Sequence, residues 1–355
     1  MSNAIHIDSA RLQLAFDRVH EAVQRKEVPA AVLAVANSRE VIRMQAFSRE
    51  DGDQVTPESI FLLASISKPI TATAVMQLVE DGLLVLSDPL TRYIPEFAQP
   101  GKLPVTAWHL LTHTSGMEEM AWWEALGQSF APPSAYFEAA CRSVLRFPPG
   151  TRYEYCTLSF FILAELVTRL SGVPFQEYLR QRIFRPLGMV DTSFDPGHEN
   201  PRAVPVHNFY PDRARAEAAF RYWVSLAVPG GGLWSTAGDL VAFGQTYLSG
   251  GRRGDALLLA SATIALMTRE HTTGLLEFVE GRPQPAHYGL GWGKASLGGM
   301  LPGSPHAFEH SGATGTLLWV DPEWDLVFVF LTNQWGVEDH TRKSALQAVY
   351  GALHR

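Results

Sequence analysis

Residues 61–84 read FLLASISKPITATAVMQLVEDGLL, and a serine, one residue, then a serine and a lysine (Ser65-Ile66-Ser67-Lys68) fall where an apolar helix begins. A serine at a helix start is ordinarily a cap. Three residues apart on a helix, however, Ser65 and Lys68 share a face, so the lysine nitrogen can reach the hydroxyl. A serine hydroxyl needs a base, and lysine serves only when burial or cationic neighbours pull its pKa well below about 10.4. The free N–H groups at the helix start can supply half of an oxyanion hole. With 23 Ser and 5 Lys in 355 residues, roughly a third of one Ser-x-x-Lys match is expected by chance, so the weight of this single match rests on its company.

The bulk composition fits a globular protein. At 46% hydrophobic and 18% charged residues, the chain can bury one large core or two smaller ones. A formal charge of -7, a pI near 5.9 and no basic run argue against a nucleic-acid partner and give no electrostatic reason to bind an anionic membrane. Cys141 and Cys156 stand in no metal-ligand spacing and make no disulfide framework. The first residues lack a cationic start, apolar stretch and cleavage site of a secretory signal, and no run of about 18 apolar residues can span a membrane. A cytoplasmic protein without a membrane span is expected.

Along the chain, Ile7 to Arg25 carries helical spacing (Leu12, Leu14, Ala15, Phe16, Val19, Ala22, Val23) after an Asp8-Ser9 cap. AAVLAVANSREVIRMQAF (30–47) reads as a hairpin turning at 37–40. From about Pro69 to Gly250 helical periodicity dominates, broken by Pro and Gly. GTLLWVDPEWDLVFVFLTNQ (315–334) gives two more strands, and DHTRKSALQAVYGALHR (339–355) a closing helix. Strands at both ends with helices between predict one sheet assembled from distant segments, flanked by terminal helices, with a large helical insertion. The expected lobes are 1–68 with 251–355 (discontinuous, α/β) and 69–250 (mainly helical).

Two further motifs follow Ser65 in order. In FPPGTRYEYCTLSFFILAELVTRLSG (147–172), Tyr155 precedes an apolar helical run. It reads either as plain core or as a second proton carrier, its phenol made more acidic by a nearby lysine cation. In FEHSGATGTLLWVDPE (308–323), His310-Ser311-Gly312-Ala313 opens an apolar strand whose small residues let backbone approach a substrate, and an N–H there can complete an oxyanion hole.

In order and spacing, Ser65-Ile66-Ser67-Lys68, Tyr155-Cys156-Thr157 and His310-Ser311-Gly312 resemble the three motifs of the serine β-lactamase-like superfamily, closest to the branch of class C β-lactamases, family VIII carboxylesterases and D,D-peptidases. LLTHTSGM (110–117), PPGTRYEY (148–155), PGGGLWSTAGDLVAF (229–243) and YGLGW (288–292) resemble its usual phrases, and the likeness runs from about Ala30 to the C-terminus. The resemblance implies an α+β, β-lactamase/D,D-peptidase-like fold: an antiparallel sheet flanked by terminal helices plus an inserted all-helical lobe, with the active site between the lobes. It makes Ser65 the acylated nucleophile, Lys68 and Tyr155 the shared general base and acid, and the Ser65 and Ala313 N–H groups the oxyanion hole. Thr157, His310, Gly312 and Ala313 would meet substrate.

Two departures decide the expected substrate. Thr157 stands where the family usually has Asn, and one hydroxyl proton replaces an amide that donates to a substrate carbonyl while accepting from the lysine. His310 stands where lysine is common, and a mostly neutral imidazole is a poor carboxylate anchor. Both favour esters of small or medium acyl groups over β-lactams or peptides. A β-lactamase, a D,D-carboxypeptidase or D-aminopeptidase, and an acyltransferase are the alternatives. A non-catalytic binding protein ranks lower, because Ser65, Lys68 and Tyr155 are retained together. Cys156 reads as packing and His113 as a turn residue. Trp122-Trp123 and 208–224 are aromatic stretches with even claims to pocket and core. No His-Glu-x-x-His, carboxylate cluster at metal spacing or phosphate loop stands out, so no metal or cofactor is expected; the partner is a small ester or amide.

Overall fold

The computed structural model describes residues 5–119, 132–197, 199–210 and 216–355. Trp122 and Trp123 lie outside them, as do residues 211–215 of the second aromatic stretch. The strand-forming segments at the two ends meet in one five-stranded antiparallel sheet. Its strands are β1 (Ala31–Ala36), β2 (Val41–Phe47), β3 (Phe308–Ser311), β4 (Leu317–Asp321) and β5 (Leu326–Thr332), in the order β3-β4-β5-β1-β2. The β1–β2 hairpin turns where expected: the Asn37 side chain accepts the Arg39 and Glu40 N–H groups at 2.8 and 2.9 Å. Joining β1 to β5, with Ala31 opposite Thr332 and Ala36 opposite Val327, ties the chain ends together.

The sheet is covered on both faces, which is why β1, β4 and β5 are buried throughout instead of alternating with polar residues. Leu33, Val35, Trp319, Phe328 and Phe330 pack with helices α1 (Ser9–Gln24) and, at the C-terminus, His340–Gly351. The α1 residues the helical spacing picks out are buried there except Leu14, which points to solvent, and Asp8 caps the helix by accepting the Ala10 and Arg11 N–H groups. Val32, Ala34, Leu318, Val320, Val327 and Val329 face the larger core on the other side. That core is built on α2 (Ser67–Glu80), buried on every face from Ser67 to Leu78. Helix α3 (Ser159–Ser171) packs against it. Helix α4 (Ala237–Leu248) falls within the span read as helical lobe, yet it packs on β1, β4 and β5. We propose the two-lobe division with α4 counted in the sheet lobe.

The start of α2 is where the two parts join. YGLGW (288–292) turns beside it: Gly291 has φ +76°, and a Cβ there would come within 2.4 Å of the Ala72 Cβ. Gly291→Ala is therefore expected to destabilise the protein by about 1–3 kcal/mol through overpacking, besides the strain of positive φ. Thermal unfolding checks this, and an unchanged Tm would show that the turn has room to give.

Candidate active site

Ser65 lies in a 3-10 turn, Ala64–Ile66, that leads into α2, so the α-helix starts two residues after Ser65, where its start was expected. Ala64 has φ +48°, an uncommon conformation for a residue with a side chain. The two residues before it are pinned by three hydrogen bonds. The Leu63 N–H donates to the Leu233 carbonyl at 2.8 Å, the Thr316 hydroxyl donates to the Leu63 carbonyl at 2.9 Å, and the Thr314 hydroxyl to the Leu62 carbonyl at 2.7 Å. Gly312 is required by the same approach, since a Cβ there would come within 2.2 Å of the Leu63 oxygen. The N–H groups of Ser65 and Ala313 meet no acceptor among the described residues. His310-Ser311 ends the edge strand β3, with Gly312 just beyond it, instead of opening the apolar strand that follows.

Lys68 is 0% exposed. Its Nζ donates to the Gly230 carbonyl at 2.8 Å and lies 3.2 Å from both Ser65 Oγ and Thr157 Oγ1. Burial pulls its pKa down to about 7, with the charge of Glu119 acting the other way. A neutral amine has two N–H donors and one lone pair. With Gly230 and Thr157 taking the donors, the lone pair is left for the Ser65 proton, the arrangement that deprotonates a hydroxyl. The PGGGLW phrase provides this support. Besides Gly230, the Pro229 carbonyl accepts the Thr71 hydroxyl at 2.6 Å and the Leu233 N–H donates to Ser67 Oγ at 3.1 Å.

The Tyr155 phenol is within hydrogen-bonding reach of Ser65, and its ring lies 4.6 Å from Lys68 Nζ. The expected acidification does not occur. Burial raises the phenol above its ordinary range, and the bond from Ser65 offsets only part of that. Tyr155 is therefore a neutral hydroxyl that can pass a proton on, not a phenolate. His113, at φ +57°, accepts the Cys156 N–H on Nδ1 at 3.0 Å and stacks 4.4 Å from the Tyr155 ring, a structural part in the turn. Cys156 is buried and its thiol is pushed up to about 12, which removes it as a nucleophile.

His310 is held between two partners, the Ser311 carbonyl 2.9 Å from Nδ1 and the Tyr288 hydroxyl 3.0 Å from Nε2. The carbonyl can only accept, so Nδ1 carries the proton and Nε2 accepts from Tyr288. Burial and the Lys68 charge push the ring pKa down to about 3, and the imidazole is neutral. The structure thus brings Ser65, Lys68, Tyr155, Thr157 and His310 together, with Gly312 against the backbone preceding Ser65. Tyr288 and Gly230 sit inside phrases noted only for their resemblance. Glu119, whose carboxylate accepts the Thr157 N–H, has no sequence signal at all.

A buried serine–lysine–tyrosine constellation at the seam of a sheet and a helical region is an arrangement for acyl transfer through a covalent serine. The comparisons agree. The family model for β-lactamase matches residues 16–352, and the chain belongs to that family of serine hydrolases. It is 32% identical over 235 residues to esterase EstB of Burkholderia gladioli, covering 60% of this chain and 59% of that protein. To the D-alanyl-D-alanine-carboxypeptidase/endopeptidase AmpH of Escherichia coli K12 it is 30% identical over 227 residues, 62% of this chain and 57% of AmpH. Among solved structures, EstCE1, described as a hydrolase with promiscuous acyltransferase activity, superposes with a TM-score of 0.80 at 22% identity over 96% of this chain and 99% of its own. No described helix is long and apolar enough to cross a membrane.

The His310 assignment has a direct check. In proton NMR the His310 ring should show no titration between pH 8 and pH 5, because its pKa lies near 3. A His310 resonance titrating near pH 6.5, located by its loss in His310→Asn, would contradict the neutral tautomer.

Proposed function

We propose that this chain is a carboxylesterase acting on esters of small or medium acyl groups, with Ser65 the nucleophile, Lys68 its base, Tyr155 the proton donor to the leaving group, and the Ser65 and Ala313 N–H groups the oxyanion hole. Lys68 takes the Ser65 proton as Oγ adds to the ester carbonyl. The tetrahedral oxyanion rests on the two N–H groups, and the alkoxide departs with a proton relayed through Tyr155. Water then enters, gives a proton back along the same path, and releases the acid.

The observation that carries the ester reading is the neutral His310 pair. At the position where a lysine cation would grip a substrate carboxylate, the site offers an imidazole whose donor is taken by Ser311 and whose acceptor is taken by Tyr288. A hydrogen bond to a charged group contributes about 1.5–3 kcal/mol, so lacking it weakens a carboxylate-bearing substrate roughly 10- to 150-fold. An uncharged ester loses nothing. A cytoplasmic setting is part of the same proposal, supported by the unpaired, buried thiols Cys141 and Cys156.

p-Nitrophenyl acetate and butyrate should each give a burst of p-nitrophenol, with an acyl adduct on the peptide containing Ser65, and Ser65→Ala should abolish both. The rate of acylation should rise with pH through about 7, the pKa of Lys68, since the protonated amine cannot accept the serine proton. Turnover of penicillin G should fall at least about tenfold below that of the esters. Activity surviving in Ser65→Ala removes the serine mechanism, and a β-lactam preference removes the ester reading.

A further inference from the structure

The Glu119 carboxylate has no part in the chemistry above, yet it is directed at the residue that touches Lys68. It accepts the Thr157 backbone N–H, and the Leu158 N–H and the Thr157 hydroxyl bear on the same carboxylate. Leu158 is the cap position of α3 and supplies no side-chain cap of its own, so Glu119 serves the helix start from 38 residues away. Thr157 Oγ1 is at the same time 3.2 Å from Lys68 Nζ. A threonine hydroxyl has one proton. If the lysine donates to that oxygen, the proton is free to point to the carboxylate, giving a continuous chain from Lys68 through Thr157 to Glu119. Burial raises the Glu119 pKa above its ordinary value, while the Lys68 charge and the three donors aimed at it act the other way and favour the carboxylate form.

We infer that Glu119 is a positioning residue for Lys68: it orients the Thr157 hydroxyl as the bridge to the amine, and its negative charge governs how readily Lys68 gives up its proton. The inference rests on the serine–lysine reading above. Threonine at this position suits that part: its single hydroxyl accepts from Lys68 and donates to Glu119, so a Glu–Thr pair does the work of orientation.

The surroundings of Lys68 make Glu119 the charge that matters. Facing the amine are Ser65 from the 3-10 turn, Tyr155 and Cys156 from the segment before α3, His113 from the 110–117 turn and His310 from β3. Burial keeps the phenol and thiol protonated and both imidazoles neutral. Among the described residues facing Lys68, Glu119 is the one carboxylate. An anion beside the amine favours its charged form, so removing the anion lets Lys68 deprotonate at lower pH.

The test is the pH dependence of Ser65 acylation, followed by the p-nitrophenyl acetate burst and by adduct mass, in the wild type, Glu119→Gln, Glu119→Asp and Thr157→Val. Gln keeps an acceptor for the Thr157 N–H and loses the charge. Its acidic limb should move to lower pH by about half a unit or more, with the acylation rate constant changed more than KM, while Asp restores the wild-type limb. Thr157→Val, which is isosteric, removes an acceptor from the charged amine and should move the limb the same way; it decides the matter if Glu119→Gln does not fold. A limb that stays in place in whichever variant folds overturns the inference and leaves Glu119 a helix cap only. A wild type that forms no Ser65 adduct defeats the underlying serine–lysine reading instead, so the two failures are distinguishable.

Discussion

An ammonium group removed from water must be satisfied by the protein or surrender its charge, and Lys68 is placed so that it does some of both. Three acceptors surround its nitrogen, and they arrive from three separate parts of the chain: Ser65 from the turn ahead of α2, Thr157 from the start of α3, and Gly230 from the PGGGLW loop. Burial costs the cation more than these acceptors return, so the amine deprotonates near neutrality. The constraint reaches outward. The loop must come close enough for its carbonyl to touch the amine, and a side chain at Gly230 would press on Thr157 and Phe160. The edge of the sheet must approach the Leu63 backbone closely enough to require Gly312.

The two covered faces of the sheet serve the same end. Pairing β1 from the N-terminal segment with β5 from the C-terminal one makes a rigid platform whose edge strand β3 carries His310 to the site. The inserted helices bring Tyr155 and Thr157 from the opposite side. In the proposed mechanism a catalytic group is then contributed by each of several elements locked by packing, with Ser65 at their junction.

Much of this was legible in the chain. The hairpin, the terminal strands and α1 follow from apolar spacing alone, because those segments meet the core in regular fashion. Ser65, Lys68 and Tyr155 were legible from motif order and resemblance, and the structure brings them into contact; their roles remain a proposal. Tyr155 is less acidic than a neighbouring lysine suggests, because its own burial raises the phenol and the bond from Ser65 offsets only part of that. The neutrality of His310 is stronger than its residue type suggests, because its acceptor nitrogen is taken by Tyr288, a partner in a phrase 22 residues away. Glu119 was not legible. It is one of two consecutive glutamates, Glu118 and Glu119, in an unremarked loop, and only the chain path shows which of them reaches the start of α3.

The charge state of Lys68 is the claim on which the account turns, and it can be read without any substrate. The chain has five lysines, so [13C]lysine labelling gives few Cε resonances, and Lys68→Arg identifies the one of interest. The account predicts a Lys68 signal titrating near pH 7, below Lys102 and Lys294, which burial brings down only to about 8. A Lys68 signal that titrates near the ordinary value of about 10.4 would mean a permanently charged amine, which could not take the proton from Ser65.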